Sequence, residues 1–240
     1  MPQRADYLAA LGLADWRQRR PGVPQLAAAP PADSSPPAGA PASVAFGADP
    51  PRADSWDSVA AEVAACTRCE LHRCRTKTVF GVGDRAAGWL VVGEAPGADE
   101  DRQGEPFVGR AGQLLNSMLL GIGLKRDQVY IANVLKCRPP NNRDPQPVEV
   151  AQCLPYLERQ IALLRPRIML AVGRIAAQNL LATDTPIGKL RGRLHAFGAG
   201  RIPLVVTYHP AYLLRSPTEK RKAWEDLKFA RRVFAGDGAA

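Results

Sequence analysis

Short apolar runs alternate with longer stretches of helical periodicity from residue 53 onward. Four of the runs have the length and composition of buried strands: Trp89–Gly93, Val129–Val134, Ile168–Val172 and Leu204–Thr207. Strands without an alternating polar face are typical of a parallel sheet that is covered on both sides. The pattern therefore predicts the α/β class, as a three-layer α/β/α sandwich around a central four-stranded, mainly parallel sheet.

Helices are predicted between and after these strands. Apolar residues recur at helical spacing over 110–120 and from Pro147 to Leu164, and a further helix begins after Gly173. The segment SPTE at 216–219 is expected to start the last helix, because serine is a preferred N-cap residue and proline a preferred first residue. The predicted buried stripe of that helix is Trp224, Leu227, Ala230 and Phe234.

The chain before residue 53 has a different composition. Residues 1–20 contain apolar side chains spaced for a short amphipathic helix, which is either a terminal helix or a segment that binds an unidentified protein. Residues 21–52 are dominated by Pro, Ala, Gly and Ser, so they cannot bury enough apolar surface to offset the entropy of ordering. We therefore predict a disordered linker at 21–52, a folded domain at 53–236 and a short tail at 237–240.

The 240-residue chain carries a formal net charge of +9, and nearly all of the excess lies after residue 52. A basic folded domain suggests an anionic partner, such as nucleic acid or a lipid surface. No apolar run approaches the roughly 18 residues of a membrane span, and the N-terminal region lacks the apolar core of a signal peptide. We therefore expect a cytoplasmic protein, associated with the nucleoid if the partner is DNA, with no membrane partner.

Polar residues lie at the ends of the predicted strands. Gly93 and Glu94, Asn133, Gly173 and His209 end the four strands or follow them closely. Ligands of open α/β sheets bind beyond the carboxyl ends of the strands. A carboxylate, an amide and an imidazole at this edge therefore predict a site for recognition or catalysis.

The five cysteines need an explanation other than disulfides, which are rare in the cytoplasm. Cys66 and Cys69 form a Cys-x2-Cys pair, which lets two thiolates reach one metal centre from a single turn. Cys137 follows a predicted strand and Cys153 lies early in the next helix, so both can approach that pair. Four thiolates suit tetrahedral zinc or an iron–sulfur cluster, and the wide second spacing favours the cluster. Buried, unligated cysteines are the remaining interpretation, and Cys74 is left as a free thiol.

Three motifs carry a family resemblance: GEAPGADEDRQGEPFVGRAGQLL at 93–115, NVLKCRPPNNRDP at 133–145 and HPAYLLR at 209–215. With the cysteine pattern, they closely resemble the family 4 uracil-DNA glycosylases, the iron–sulfur members of the uracil-DNA glycosylase superfamily. The resemblance covers about residues 55–235. It implies a [4Fe–4S] cluster held by the cysteines at Cys66, Cys69, Cys137 and Cys153.

The resemblance also implies a function. We expect a monofunctional glycosylase that flips deoxyuridine out of DNA and hydrolyses its N-glycosidic bond, which initiates base excision repair. The expected partner is uracil-containing DNA, double- or single-stranded, and the expected state is a monomer.

Three side chains are candidates for the uracil pocket. The resemblance implies that His209 donates a hydrogen bond to uracil O2, where negative charge builds as the base leaves. The Asn133 amide matches the O4 acceptor and N3–H donor of uracil, whereas cytosine presents the opposite pattern. Phe107 looks like the residue that stacks on the flipped base.

Carboxylates are dense just after the first predicted strand. The backbone from Gly93 to Ala95 is expected to contact uracil and water, and Ala95 replaces the aspartate that family 1 enzymes have in the corresponding motif. Either Glu94 or Glu100 is then the candidate catalytic carboxylate, which places water or stabilises the cationic sugar. We expect Asp101 and Glu105 to be solvated loop residues.

The loop that follows His209 is predicted to contact DNA. Leu213 or Leu214 would fill the gap left by the flipped nucleotide, and Arg215 would meet a phosphate or base edge. The alternative is that both leucines begin a helix and pack inward. Other basic residues in predicted loops could line the cleft and bind phosphates: Arg138, Arg143, Lys189, Arg191 and Arg193.

Three other functions are compatible with part of the pattern. A non-enzymatic iron–sulfur DNA-binding protein, associated with a polymerase, would not need the polar residues at the strand ends. A zinc-stapled α/β domain would explain only the cysteines. A relative that traps uracil-DNA covalently would need a histidine in an inserted loop, and KCRPPNNRDPQP at 136–147 contains none.

Overall fold

The computed structural model describes residues 54–236, so the predictions for 1–20, 21–52 and 237–240 lie outside the described residues. Within this range the chain forms one six-stranded sheet in the order β1-β3-β2-β4-β6-β5. The strands are β1 (Val82–Gly83), β2 (Trp89–Gly93), β3 (Tyr130–Asn133), β4 (Ile168–Val172), β5 (Leu194–Phe197) and β6 (Ile202–Thr207).

The four central strands are those predicted from the apolar runs, and they are parallel to one another. The α/β class is therefore confirmed, but the sheet has six strands and not four. The additional strands, β1 and β5, pair antiparallel at the two edges. Neither resembles a buried strand in sequence, because β1 has two residues and β5 is half exposed.

Helices cover both faces of the sheet. They are α1 (Trp56–Ala64), α2 (Ala98–Gln103), α3 (Arg110–Gly121), α4 (Pro147–Leu164), α5 (Arg174–Leu180), α6 (Ile187–Leu190), α7 (Pro210–Arg215) and α8 (Lys220–Ala235). Alternate residues of the central strands face two separate apolar clusters. One cluster contains residues of α1, α4 and α5, and the other contains residues of α3 and α8. None of the described helices combines the length and hydropathy needed to cross a membrane.

The register of the central strands brings their carboxyl ends to one edge. Gly93 pairs with Asn133 across β2 and β3, and Val172 pairs with Thr207 across β4 and β6. The segments that leave these strands therefore begin side by side, as expected for a ligand site in an open α/β sheet.

The prediction for the start of the last helix is correct in part, and its predicted buried face is wrong. Ser216 is the N-cap and Pro217 the first residue of a 3₁₀ turn at 217–219 that continues into α8 at Lys220, but the side chain of Ser216 makes no capping hydrogen bond. Trp224 is 40% exposed, and Ala223 and Asp226 are buried in its place beside Leu227 and Ala230. The helical period was identified correctly, but the buried face is rotated by about one residue.

Candidate active site

A cavity of about 750 Å³ lies at the carboxyl edge of the sheet. Its lining includes the predicted residues Glu94, Ala95, Glu100, Phe107, Asn133, His209 and Arg215. The amide, the phenyl ring and the imidazole proposed from sequence thus face one space, although they come from three distant segments. Gly93 does not line the cavity but lies next to the side chains of Asn133 and Phe107. The predicted DNA contacts Leu213, Leu214 and Arg191 do not line it either.

Asn133 is the last residue of β3 and is 2% exposed. Its Oδ1 atom is buried and has no hydrogen-bond partner among the described residues. Leaving a buried acceptor unpaired costs about 1–3 kcal/mol. A ligand that donates a hydrogen bond to this oxygen would remove the penalty, so the site favours a base with an N–H group at the matching position.

Gly93 lets the amide and the phenyl ring approach the backbone of β2. A Cβ atom at Gly93 would lie 2.4 Å from Oδ1 of Asn133 and 2.6 Å from Cζ of Phe107. Any larger residue would displace both side chains. The glycine is therefore required by packing, and its own φ is not in the left-handed region.

Phe107 is held in an uncommon backbone conformation, with φ of 55°. Such conformations cost about 1–3 kcal/mol and persist only where the surroundings impose them. Arg126 donates to the carbonyl oxygens of Phe107 and Pro106, at 3.2 and 2.5 Å. Gly112 of α3 leaves room for this turn, because a Cβ there would lie 1.7 Å from the Phe107 carbonyl oxygen.

The His209 ring lies 5.6 Å from the Phe107 ring, centroid to centroid. The backbone N–H of Ala211 donates to Nδ1 of His209 at 3.1 Å, so a neutral ring carries its proton on Nε2. Burial lowers the pKa of His209 to about 4, and the positive charge of Arg215 acts in the same direction. His209 is therefore a neutral hydrogen-bond donor at physiological pH.

Glu94 follows β2 and lines the cavity. Burial, and to a lesser extent the charge of Asp144, raise the pKa of Glu94 to about 7, against the opposing charge of Arg174. Asp144 is itself paired with Arg174 at 2.5 Å on the rim of the cavity. Glu94 is thus the carboxylate of this site that changes protonation near neutral pH.

Glu100 has a different environment. Its carboxylate accepts backbone hydrogen bonds from Gly97 at 3.1 Å, Val108 at 3.0 Å and Gly109 at 3.2 Å. These bonds connect the two ends of the loop that carries Phe107. Glu100 therefore organises the wall of the cavity, and the geometry favours Glu94 over Glu100 as the carboxylate free to act on a ligand.

The expectation that Asp101 is a solvated loop residue is wrong. Asp101 is 3% exposed and accepts hydrogen bonds from the backbone of Thr76 and Lys77. It attaches α2 to the segment that follows the first cysteines. Glu105 is exposed, as expected.

The segment after His209 is the short helix α7, and its two leucines differ. Leu213 is 1% exposed and packs inward. Its side chain therefore cannot reach DNA, and the prediction that it does is wrong. Leu214 is 36% exposed and Arg215 is exposed on the rim of the cavity. Tyr212 is also exposed, and its ring lies 5.1 Å from the Tyr208 ring, centroid to centroid, at a tilt of 46°.

Arg191 does not line the cavity and its charge is paired, so its contact with DNA stays a prediction. Its guanidinium makes two hydrogen bonds to the buried carboxylate of Asp226, at 2.8 and 3.0 Å, and packs over the Tyr208 ring. Of the other predicted basic residues, Arg143 lines the cavity but is paired with Glu149. The cavity lining does not include Arg138, Lys189 or Arg193.

A second, small cavity collects four of the five cysteines. It is lined by Cys66, Cys69, Cys137 and Cys153, and Cys74 is outside it. Burial raises the pKa of Cys69 and of Cys137, and raises the pKa of Cys153 to about 11. No group of three His, Cys, Asp or Glu residues within 54–236 is arranged to hold a single metal ion.

Hydrogen-bond donors surround the sulfur atoms of this cysteine cavity. Arg75 donates to Sγ of Cys137 at 3.2 Å and to the carbonyl oxygens of Cys66 and Ala64. The backbone N–H of Lys136 donates to Sγ of Cys153 at 3.2 Å. Donors of this kind favour the thiolate form of cysteine, which is the form that binds metals.

Several residues of the site were missed from sequence. Arg126, Arg75 and Lys136 act on the backbone or the sulfur atoms of distant segments, and no local pattern identifies such contacts. The pair of Tyr208 and Tyr212 had a weak signal, since two aromatic residues four positions apart flank the start of a helix.

Comparison with known proteins supports an assignment of the family. The model of the uracil DNA glycosylase superfamily matches residues 80–228, more than half of the chain. A type-4 uracil-DNA glycosylase of Archaeoglobus fulgidus is 45% identical over 181 residues, which are 73% of this chain and 91% of the relative. Type-4 enzymes of Pyrobaculum aerophilum and Sulfurisphaera tokodaii are 44% and 42% identical, over 72% and 75% of this chain and 89% and 85% of their own.

Proposed function

The chain belongs to the uracil-DNA glycosylase superfamily, and from this membership and the geometry of the cavity we propose that it hydrolyses the N-glycosidic bond of deoxyuridine in DNA. The base must leave the helix to reach a cavity of this depth. The observation that carries the proposal is the unpartnered Oδ1 of Asn133, which shares a cavity with a neutral His209 and with the Phe107 ring.

Asn133 selects the base in this proposal. Its Oδ1 accepts the N3–H of uracil and its amide nitrogen donates to O4. Cytosine presents an acceptor at N3 and a donor at C4, so both contacts would be lost and buried polar groups left unpaired. Sites that hydrogen-bond a substrate in this way reject the mismatched analogue strongly.

His209 stabilises the leaving base. Bond cleavage moves an electron pair onto uracil, and the negative charge spreads to O2. The Nε2–H of the neutral imidazole donates to that oxygen, in a buried site where such a contact is strong. Phe107 stacks on the base and holds it beside both partners.

Glu94 acts on the sugar side. Its carboxylate stabilises the developing positive charge of the deoxyribose and orients the water that adds to C1′. Water, and not an amine of the protein, is the nucleophile in this proposal, so the enzyme is monofunctional and leaves an intact abasic strand. Glu100 keeps the loop of Phe107 in place and takes no part in the bond cleavage.

DNA is held by residues on the rim of the cavity. Leu214 and Tyr212 are exposed apolar groups beside the opening, suited to replace the flipped nucleotide in the base stack. Arg215 contributes a positive charge next to them for a phosphate. The duplex or single-strand preference follows from how well these groups substitute for the lost stacking.

The cysteine cavity fits an iron–sulfur cluster. Four thiols line one space, and N–H donors contact two of the sulfur atoms. Cys66, Cys69, Cys137 and Cys153 would hold a [4Fe–4S] cluster. When bound, the cluster would join the segment at 66–75 to the segment at 137–153 and so fix the loop with Arg143 at the cavity.

The test is excision from a labelled oligonucleotide by the purified protein, with iron measured on the same preparation. We expect release of uracil from the uracil strand, no release of cytosine from the matched cytosine strand, and strand breakage only after alkali. The control is Asn133→Ala, which should lose excision and keep the iron.

An absence of uracil release by the iron-loaded protein, with DNA binding retained, would contradict the proposal. It would favour the alternative of a non-enzymatic iron–sulfur DNA-binding protein. Iron-free protein that contains zinc would instead contradict the assignment of the cluster.

A further inference from the structure

Lys136 is a buried lysine, 1% exposed, that the proposed reaction leaves unused. It lies three residues after Asn133 and directly before Cys137, and it lines the cysteine cavity. No carboxylate pairs with it in the part of the chain that the structure describes. A buried ammonium group without an opposite charge is strongly disfavoured, which makes the lysine unexpected as a purely structural residue.

The contacts of Lys136 reach both sites. Its Nζ atom donates to the backbone carbonyl oxygen of Asn133 at 2.8 Å. Its backbone N–H donates to Sγ of Cys153 at 3.2 Å. One residue is therefore bonded to the backbone of the base-recognising asparagine and to a sulfur atom of the cysteine cavity.

A rigid network holds the ammonium group in place. Nζ also donates to Oε1 of Gln160 at 2.6 Å. The amide nitrogen of Gln160 in turn donates to the carbonyl oxygen of Phe80 and to the hydroxyl of Tyr130, at 3.0 and 3.2 Å. Movement of Lys136 toward either site would strain its bonds to Asn133, Gln160 and Cys153, so a displacement on one side is transmitted to the other.

The missing opposite charge is available at the cysteine cavity. All acceptors of the ammonium group are neutral oxygens, whereas a metal cluster held by four thiolates carries net negative charge. The main chain of Lys136 already donates a hydrogen bond to one of these four sulfur atoms, that of Cys153. A charged Lys136 thus gains stability when the cluster is present, and the carbonyl of Asn133 is held by the same group.

We propose that Lys136 is a positioning residue that couples occupancy of the cysteine cavity to the binding of uracil. The inference rests on the proposed glycosylase function and on the cluster. Coupling between two sites is reciprocal, so uracil in its cavity must make loss of the cluster less favourable.

The experiment measures loss of iron from the intact, iron-loaded protein in excess chelator, followed by visible absorbance, with and without free uracil. The uracil concentration is set to saturate each variant, from its own binding isotherm. The low end of couplings between protein sites is about fivefold in affinity. Because the contact of Lys136 with the cluster is lost as the cluster opens, we expect uracil to slow iron release in the unmodified protein by about the same factor. In Lys136→Met the slowing should fall below about twofold. Methionine keeps an unbranched side chain, one atom shorter than that of lysine, and removes its charge and its donors.

A control separates this coupling from general stabilisation by a ligand. Any ligand that binds only the folded state stabilises the whole protein, and this effect would protect iron in every variant at equal saturation. Asp226→Asn removes a buried charge that contacts neither Asn133 nor the cysteines. Its iron should remain protected by uracil as in the unmodified protein. Protection that persists undiminished in Lys136→Met would overturn the proposal.

The outcomes also distinguish this inference from the proposed function. A protein that binds no uracil and releases none from DNA would contradict the proposed function. A protein that binds uracil, excises it and holds iron, but releases iron at the same rate with and without uracil, would contradict the coupling alone. Because this last comparison uses the unmodified protein, equal rates would overturn the coupling even if Lys136→Met and a second variant, Lys136→Gln, fail to fold.

Discussion

The uracil cavity and the cysteine cavity differ in what holds their atoms in place. The first is built where parallel strands end, and the pairing of Gly93 with Asn133 sets two of its walls. The second is built from a turn, a loop and the first half of α4, and no strand pairing sets the distances between its thiols. The sheet fixes one site by its own hydrogen bonds, whereas the other depends on side chains and on what they bind.

The electrostatic balance of the two cavities differs as well. The uracil cavity contains a histidine that burial keeps neutral and one carboxylate with a pKa near neutrality. The cysteine cavity gathers thiols whose deprotonation burial opposes, beside the guanidinium of Arg75 and the ammonium of Lys136. A preformed site of the first kind needs no ligand to exist, while a site of the second kind is completed by its ligand.

The largest expected effect concerns chemistry in the uracil cavity alone. His209→Ala removes the donor to the leaving base, and loss of one such donor lowers the rate by about 10²- to 10³-fold. Single-turnover excision should fall by this amount and iron content should stay unchanged, while the thermal midpoint falls by only a few degrees because the cap that His209 gives to Ala211 is lost. His195→Ala is the control, because His195 bonds to the Leu190 carbonyl and does not line the cavity. A fall in iron content in His209→Ala would contradict the expectation that this change affects the uracil cavity alone.

The second largest effect is expected when a cysteine of the cysteine cavity is removed. Cys153→Ala removes a buried ligand, so we expect iron loss and a thermal midpoint lower by at least about 5 °C, as a loss of roughly 2 kcal/mol would give in a domain of this size. Excision should fall with the folded fraction. Cys74→Ala is the matched control, since this exposed cysteine lies outside the cavity, and it should keep the iron. Equal iron in both variants would remove Cys153 from the ligand set.

The pH dependence of excision tests the electrostatic difference between the two cavities. Because burial raises the pKa of Glu94 to about 7, its active carboxylate form grows as pH rises through 7. We expect kcat/KM to rise about tenfold between pH 6 and pH 8, as one ionisation near 7 predicts. His209 stays neutral over this range, so it adds no second inflection. In Glu94→Gln the inflection near pH 7 should vanish; an unchanged profile would assign it to another group.

The smallest effect concerns the rim of the uracil cavity. Leu214→Ala removes an exposed apolar group beside the opening, and we expect DNA affinity to weaken about 3- to 10-fold, near the 1 kcal/mol scale of a partly buried side chain. Leu120→Ala, an exposed leucine at the end of α3, should leave affinity unchanged. Leu213→Ala should instead lower stability by about 2–5 kcal/mol, since it empties a buried position. Equal affinity loss in the Leu120 and Leu214 variants would exclude a specific rim contact.

The central sheet could be predicted because its signals are local. Uninterrupted apolar runs such as Ile168–Val172 identify buried strands without any knowledge of their partners. The residues at the ends of those runs then meet at one edge, because parallel strands share a direction. The two edge strands lacked such a signal. Only the Gly-Ala-Gly turn at 198–200, ahead of β6, pointed to a hairpin that would have included β5.

Side-chain roles were predicted less well, because they depend on partners distant in sequence. Leu213 and Leu214 are adjacent and chemically identical, and the packing of α7 against α3 decides which one is buried. Arg191 was predicted to contact a phosphate, but Asp226, 35 residues later, binds its guanidinium. Glu100 was a candidate catalytic carboxylate, and it accepts N–H bonds from Val108 and Gly109 beside Phe107 and from Gly97 before α2.

The sequence by itself determined the alternation of strands and helices, the polar residues at the strand ends and the cysteine spacing, since each is set by residues close together along the chain. Only the tertiary structure decided which face of a helix is buried, which charges are paired, and that Lys136 bridges the two cavities. Those outcomes depend on burial and on contacts between distant segments, and the energies of both exist only once the chain has folded.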